Sequence, residues 1–161
     1  MEINVKFFLI ILLISLVGCG GEEKTVEDDQ NNIVINEIFR KSSKDRPDWI
    51  ELYNKGSETI DISGWQIRDS MDRTPYLIPD GTEIGSEKFL VITQDETGET
   101  GFVFGLGNAD KVRVYDAEEI EMDKIEWEED DIPENESLGR IPDGTENIQL
   151  TITPTPGVKN I

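Results

Sequence analysis

The chain contains no histidine and a single cysteine, Cys19. Without an imidazole, a Ser-His-Asp triad, a histidine-ligated zinc and a histidine general base are excluded. Without a second cysteine no disulfide can form within the chain, so a folded domain has to be held by packing alone. Bases are scarce as well: 15 lysines and arginines stand against 35 aspartates and glutamates, a formal charge of −20 at pH 7. The cationic footprint that phosphate binding requires is missing, which argues against nucleic acid as a partner. Long apolar runs are limited to Phe7–Val17, well short of the ~20 residues that a membrane-spanning helix needs. No segment carries the period of an amphipathic helix.

What stands at the N-terminus is informative. A short charged start, Met1–Lys6, leads into the apolar run and then Leu16-Val17-Gly18-Cys19, with Gly20-Gly21 and charged residues behind it. That is the layout of a processed signal peptide, and Leu-Val-Gly-Cys resembles a bacterial lipoprotein lipobox. The resemblance implies cleavage after residue 18 and an acylated N-terminal Cys19, with more than one acyl chain giving stable anchoring. Gly20 does not resemble an inner-membrane retention signal, so the expected location is the outer membrane or cell surface of a bacterial envelope. Loss of Glu2 and Lys6 with residues 1–18 leaves the charge at −20. Residues 19–32 then form the lipidated cysteine and an acidic tether with Val26 as its one apolar side chain beyond Cys19, too little to offset the entropy of ordering.

Residues 33–161 read as one domain. Apolar residues recur with period two, broken roughly every 8 to 15 residues by turn signals, which predicts short half-buried strands. Expected strands are Ile33–Phe39, Asp48–Asn54, Ile60–Ile62, Gly64–Asp69, Tyr76–Ile78, Phe89–Ile92 and Ile148–Ile152, with Lys111–Asp116 and Met122–Trp127 as a hairpin. Phe89–Ile92, apolar on both faces, reads as a central strand. Pro79-Asp80-Gly81 reads as a turn with glycine in a left-handed position. Eight or nine strands without intervening helices predict an all-β fold, an immunoglobulin-like antiparallel β-sandwich. Trp65, Trp49 and Phe89 are its expected aromatic core.

Several of these segments are also familiar as a set. Ile35-Asn36-Glu37-Ile38, Asp48–Asn54, Ile62–Ile67 with Asp69, Ile78–Thr82, Phe89–Ile92, Gly105–Asp110, Ser137–Arg140 and Thr155–Asn160 resemble, in order, the lamin tail domain, which also occurs in bacterial secreted and surface proteins. The resemblance implies an immunoglobulin-like β-sandwich, in agreement with the strand count. It also implies a non-catalytic interaction or adhesion module with a protein or glycan partner, here joined to the membrane through its lipid.

Candidate sites follow from residue types. Exposed aromatics would serve protein or carbohydrate binding, and Trp127 between Glu126 and Glu128 leads, followed by Tyr115 and Tyr76; a tryptophan in an alternating strand is otherwise a core residue. Calcium takes six to eight oxygens, and Asp69, Asp72, Asp110 and Asp130 are the carboxylates in loops that could supply them, although no EF-hand spacing is present. A calcium-dependent carbohydrate-binding or accessory subunit of a separate surface enzyme is the alternative function; no other cofactor is expected. Glu37 and Glu51, set in apolar strands, read either as ligand contacts or as carboxylates that accept loop N–H groups or pair with an arginine such as Arg140. The second reading is favoured because semi-buried carboxylates are normally paired. With no identifiable catalytic pair, an enzyme is not expected.

Overall fold

The computed structural model describes residues 32–40, 46–71, 74–151 and 153–161. Cys19, residues 1–31, Asp72 and Ile152 lie outside them. The described residues form eleven strands and no helix: β1 (Ile33–Phe39), β2 (Trp49–Asn54), β3 (Ile60–Asp61), β4 (Gln66–Arg68), β5 (Tyr76–Leu77), β6 (Glu83–Ile84), β7 (Phe89–Thr93), β8 (Asp110–Tyr115), β9 (Glu121–Trp127), β10 (Ser137–Arg140) and β11 (Ile148–Thr151), most of them rich in β-branched and aromatic residues. They form a five-stranded sheet in the order β11-β10-β1-β2-β7, a four-stranded sheet in the order β5-β4-β8-β9 and the small pair β3-β6, all antiparallel. The expected all-β sandwich and the β8–β9 hairpin are both present.

The core fills the space between the larger sheets. Ile33, Ile35, Ile38, Ile50 and Leu52 meet Trp65, Ile67, Val112, Val114, Ile125 and Trp127, all buried. Burying such a side chain contributes roughly 1.5–3 kcal/mol, which is how a domain without a disulfide is held. At Pro79-Asp80-Gly81 the turn forms as expected, with Gly81 at φ +77°.

The first strand departs from strict alternation. Pairing with β2 runs Ile35↔Leu52 and then Glu37↔Glu51, so Asn36 is an extra residue in a bulge. The bulge moves the inward positions from Ile33 and Ile35 to Ile38, and it turns Glu37 to the outer face beside Glu51. On its other side Ile35 has no register partner in β10, whose pairing with β1 runs through Glu37 and Ile38. The Ile35 N–H donates to Asp123 Oδ2 at 2.7 Å, and its carbonyl accepts from Arg140 Nε at 2.8 Å. Arg140 closes the link by donating from Nη2 to both Asp123 oxygens at 3.0 Å, so one buried arginine ties β10, β1 and β9 together.

Three expectations change. Phe89–Ile92 is not central: β7 is the edge of the five-stranded sheet, and Phe89 is half-buried, stacked on Tyr53 at 4.8 Å between ring centroids. Trp49 is buried on the outer face of its sheet rather than between the sheets, while Trp65 is in the core as expected. Strands β1 and β2 are buried on both faces, not one, because residues 153–161 fold back across the outer face. Strands β6 and β10 escape a reading by alternation, since one has two residues and Ser137-Leu138-Gly139-Arg140 holds one apolar side chain.

Candidate functional site

The fold-back of residues 153–161 creates the most developed surface feature. Glu37 receives the Thr155 N–H at 3.2 Å on each oxygen, the Thr155 hydroxyl at 3.1 Å and the hydroxyls of Ser137 and Thr151. Glu51, its cross-strand partner, receives the Gly157 N–H at 2.6 Å and Asn36 Nδ2 at 2.9 Å. Asn160 completes the clasp: its side chain donates to the carbonyls of Arg140 and Asn36, and its N–H donates to Asp143. Close approach of the strap to β10 depends on Gly139, where an added Cβ would lie 2.6 Å from Asn160 Nδ2.

Both carboxylates are fully buried, so desolvation penalises their charged forms. For Glu51 burial is the largest effect, opposed by the hydrogen bonds from Asn36 and Gly157 and reinforced by the charges of Glu37 and Asp143, and it pushes the group up to about 7. Burial also raises Glu37, against the hydrogen bonds from Ser137, Thr155 and Thr151. Of the two readings of these acids, the structure places both as acceptors for the strap; Arg140 pairs with Asp123 instead.

Beside the clasp lies a groove of about 450 Å³, lined by Phe39, Trp49 and Val91 from the sheet and by Pro154 and Pro156 from the strap. Phe39 and Trp49 stack with centroids 5.7 Å apart and planes at 13°, giving a flat aromatic floor. Exposed Arg46 and Pro47 stand at the same groove. The arrangement suits an apolar or aromatic side chain, with the guanidinium able to meet an anionic group.

The aromatic residues considered as binding candidates are dispersed. Trp127 is a correction: it is 2 % exposed, packed in the core, and its indole N–H donates to the Gly107 carbonyl at 3.1 Å. Alternation put it on the inward face of β9 with Ile125. Trp127→Phe is therefore expected to cost about 1–2 kcal/mol through the lost bond and volume, read as a lower urea midpoint. Tyr115 is half-buried under Arg68, whose guanidinium carbon sits 4.6 Å from the ring centroid, and its hydroxyl donates to Glu121. Tyr76 packs against the core and lines a smaller groove of about 250 Å³ with Pro75, Leu77 and Val103.

Of the carboxylates considered for calcium, the three that are described form no common cluster. Asp69 and Asp110 meet around one loop, where Asp69 accepts the Met71 N–H and Asp110 accepts those of Ser70, Gly107 and Lys111. Burial works against the Asp110 charge, yet donation from Ser70, Gly107 and Lys111 holds it below the usual carboxylate value. Asp130 lies on the exposed turn after β9, and Asp72 is outside the described residues. Among the described residues no three acidic, cysteine or histidine side chains are grouped to hold a metal.

The groove was missed because its wall is made by Thr153–Pro156, a stretch with no ionisable or aromatic side chain, and because Trp49 of its floor was assigned to the core. The available signals were Glu37 and Glu51, whose place in apolar strands requires donors from elsewhere. The family model described as Lamin Tail Domain matches residues 27–129, more than half of the chain. That stretch includes β1 to β9, and β10, β11 and the strap follow it. No curated protein matches.

Proposed function

The chain belongs to the lamin tail domain family, a non-enzymatic family of immunoglobulin-like modules, and on that premise we propose that it is a lipid-anchored binding or adhesion module of a bacterial envelope that captures a protein partner in the Phe39–Trp49 groove. The observation that carries the reading is the groove itself: an aromatic floor beside a wall held in place by two buried carboxylates. Such a pre-formed concave apolar surface is what a side chain of a partner needs. Its lining is poor in the convergent polar groups that a glycan requires, which favours protein over carbohydrate. The calcium-dependent alternative has less support, since Asp69 and Asp110 are engaged by main-chain donors.

Acylation at Cys19 supplies the anchor, and residues 20–32 span at most about 45 Å when extended, which keeps the module close to the outer membrane or cell surface. The −20 charge keeps it soluble there and away from nucleic acid. Two measurements test the proposal. Cys19→Ser is expected to abolish palmitate labelling and move the protein to the soluble fraction; continued sedimentation with membranes would refute the anchor. A photo-crosslinking residue in place of Val91, at the groove, is expected to trap a discrete partner in intact cells, whereas one in place of Lys124 on β9 is not. Equal adducts from the two positions, or none from Val91, would remove the groove from the interface.

A further inference from the structure

The five-stranded sheet ends at β11, and among the described residues this edge is left open in a way that the edges at β7 and β9 are not. Ile141 N–H donates to the Asn147 carbonyl at 3.0 Å, and the β10–β11 register continues without a shift through Gly139↔Gln149 to Ser137↔Thr151. Hydrogen-bonded and non-bonded pairs alternate along an antiparallel ladder. Asn147, Gln149 and Thr151 therefore spend their main-chain groups on β10, and Ile148 and Leu150 present their N–H and C=O groups outward.

Natural edges are usually protected by charge, proline, bulges or a covering segment. Strand β9, the edge of the other sheet, carries Glu121, Asp123, Lys124 and Glu126. The end of β7 is crossed by residues 101–104, with a bridge between Gln94 and Phe102 and the Asp95 N–H on the Phe102 carbonyl. Among the described residues strand β11 shows none of these devices. In a chain that is 31 % charged, no residue from Asn147 to Val158 carries a charge. Ile148 and Leu150 are 38 % and 41 % exposed. Leu150 lies opposite Leu138, which packs against the core, so an added strand would extend an existing apolar row.

We propose that β11 is a docking edge that accepts an extended segment of another protein by antiparallel strand addition, with apolar or β-branched residues at alternate positions and lysine or arginine at its ends. Charge selects this occupant over a second copy of the chain. Glu146 stands just before β11, and Glu136 precedes Ser137, the partner of Thr151 at the other end of the strand pair. Two copies would bring these acids together on molecules that each carry −20, whereas cationic flanks would meet them favourably. This edge is separate from the Phe39–Trp49 groove.

The test uses the full chain in detergent and a labelled probe peptide, Lys-Lys-Val-Thr-Val-Thr-Val-Lys-Lys, read by fluorescence anisotropy and by amide hydrogen exchange. Binding is expected to slow exchange at Ile148 and Leu150. Leu150→Pro removes an outward N–H without breaking a bond to β10 and is expected to weaken binding by about tenfold, the worth of one main-chain hydrogen bond. Leu150→Thr, which keeps that N–H, is expected to retain most of the affinity. If Leu150→Pro fails to fold, Ile148→Lys takes its place, repelling the cationic probe at the edge. A probe with alternate N-methylated amides or with glutamate flanks is expected to bind poorly. Equal binding of the N-methylated probe, unchanged affinity in Leu150→Pro, or no binding by the lysine-flanked probe would overturn the proposal. A concentration-dependent dimer abolished by Leu150→Pro would assign the edge to a second copy and overturn the occupant.

Discussion

Replacing Arg140 by leucine is expected to destabilise the domain by about 3–5 kcal/mol, the range found when one member of a buried ion pair is removed. For a domain of this size that is roughly 10–15 °C in Tm. The side chain is 2 % exposed and donates to the Ile35 and Thr145 carbonyls and to both oxygens of Asp123. Leucine fills the volume but withdraws the arginine's donors from the Ile35 and Thr145 carbonyls and leaves Asp123, itself only 14 % exposed, without its counter-charge. Arg140→Lys should recover a fraction of the loss, because an ammonium cannot reproduce the planar fork that spans Ile35 and Asp123. Denaturant unfolding of the three proteins checks this; a loss under about 1 kcal/mol for Arg140→Leu would mean that the bulge at Asn36 does not depend on the arginine.

The second large effect is a fall in stability as the pH rises. Glu51 is raised from 4.5 to about 7 on folding, so between those values the folded state holds a proton that the unfolded chain releases. Its contribution is fully present below 4.5 and is lost as the pH passes about 7. At 1.36 kcal/mol per unit the loss is about 3 kcal/mol, roughly 10 °C in Tm. Glu37 is shifted in the same direction and adds to it. In strong acid the trend reverses, because Asp110 is held below its ordinary value by donated hydrogen bonds and loses that stabilisation on protonation. The stability maximum is therefore expected on the acid side of neutrality. Self-repulsion among 35 acids acts in the same sense, but salt screens it at the surface. Melting curves at high salt should thus keep a slope in wild type that Glu51→Gln flattens. A slope that survives in Glu51→Gln would trace it to general charge. A slope confined to Glu51 would also mean that the groove wall, which Glu51 holds through Gly157, is more firmly clasped in mild acid.

Much of the fold is legible in residue pattern because strand formation is local. Alternation identifies β1, β2, the β8–β9 hairpin and β11, and Pro79-Asp80-Gly81 marks its turn, since each depends on neighbours within a few residues. Patterning failed where a residue's environment comes from distant chain. Phe89–Ile92 is apolar on both faces, which alternation reads as central, but its position in the sheet is set by which strands pair with it. Trp127 alternates with Glu126 and Glu128, a pattern that favours the core but leaves exposure open, and the opposite sheet settles it as buried.

By itself, then, the sequence determined the fold class, the family, the absence of histidine and of an intrachain disulfide, and the acidic character, because these reside in composition and in contacts between near neighbours. Only the tertiary structure decided that Glu37 and Glu51 lie side by side, that residues 153–161 cross over them, that Trp49 floors a groove and that β11 is an open edge. The strap contacts join residues more than 100 positions apart, as the bonds from Thr155 to Glu37 and from Gly157 to Glu51 do. Such pairings follow from sheet order and a bulge register, which no local period of the chain records.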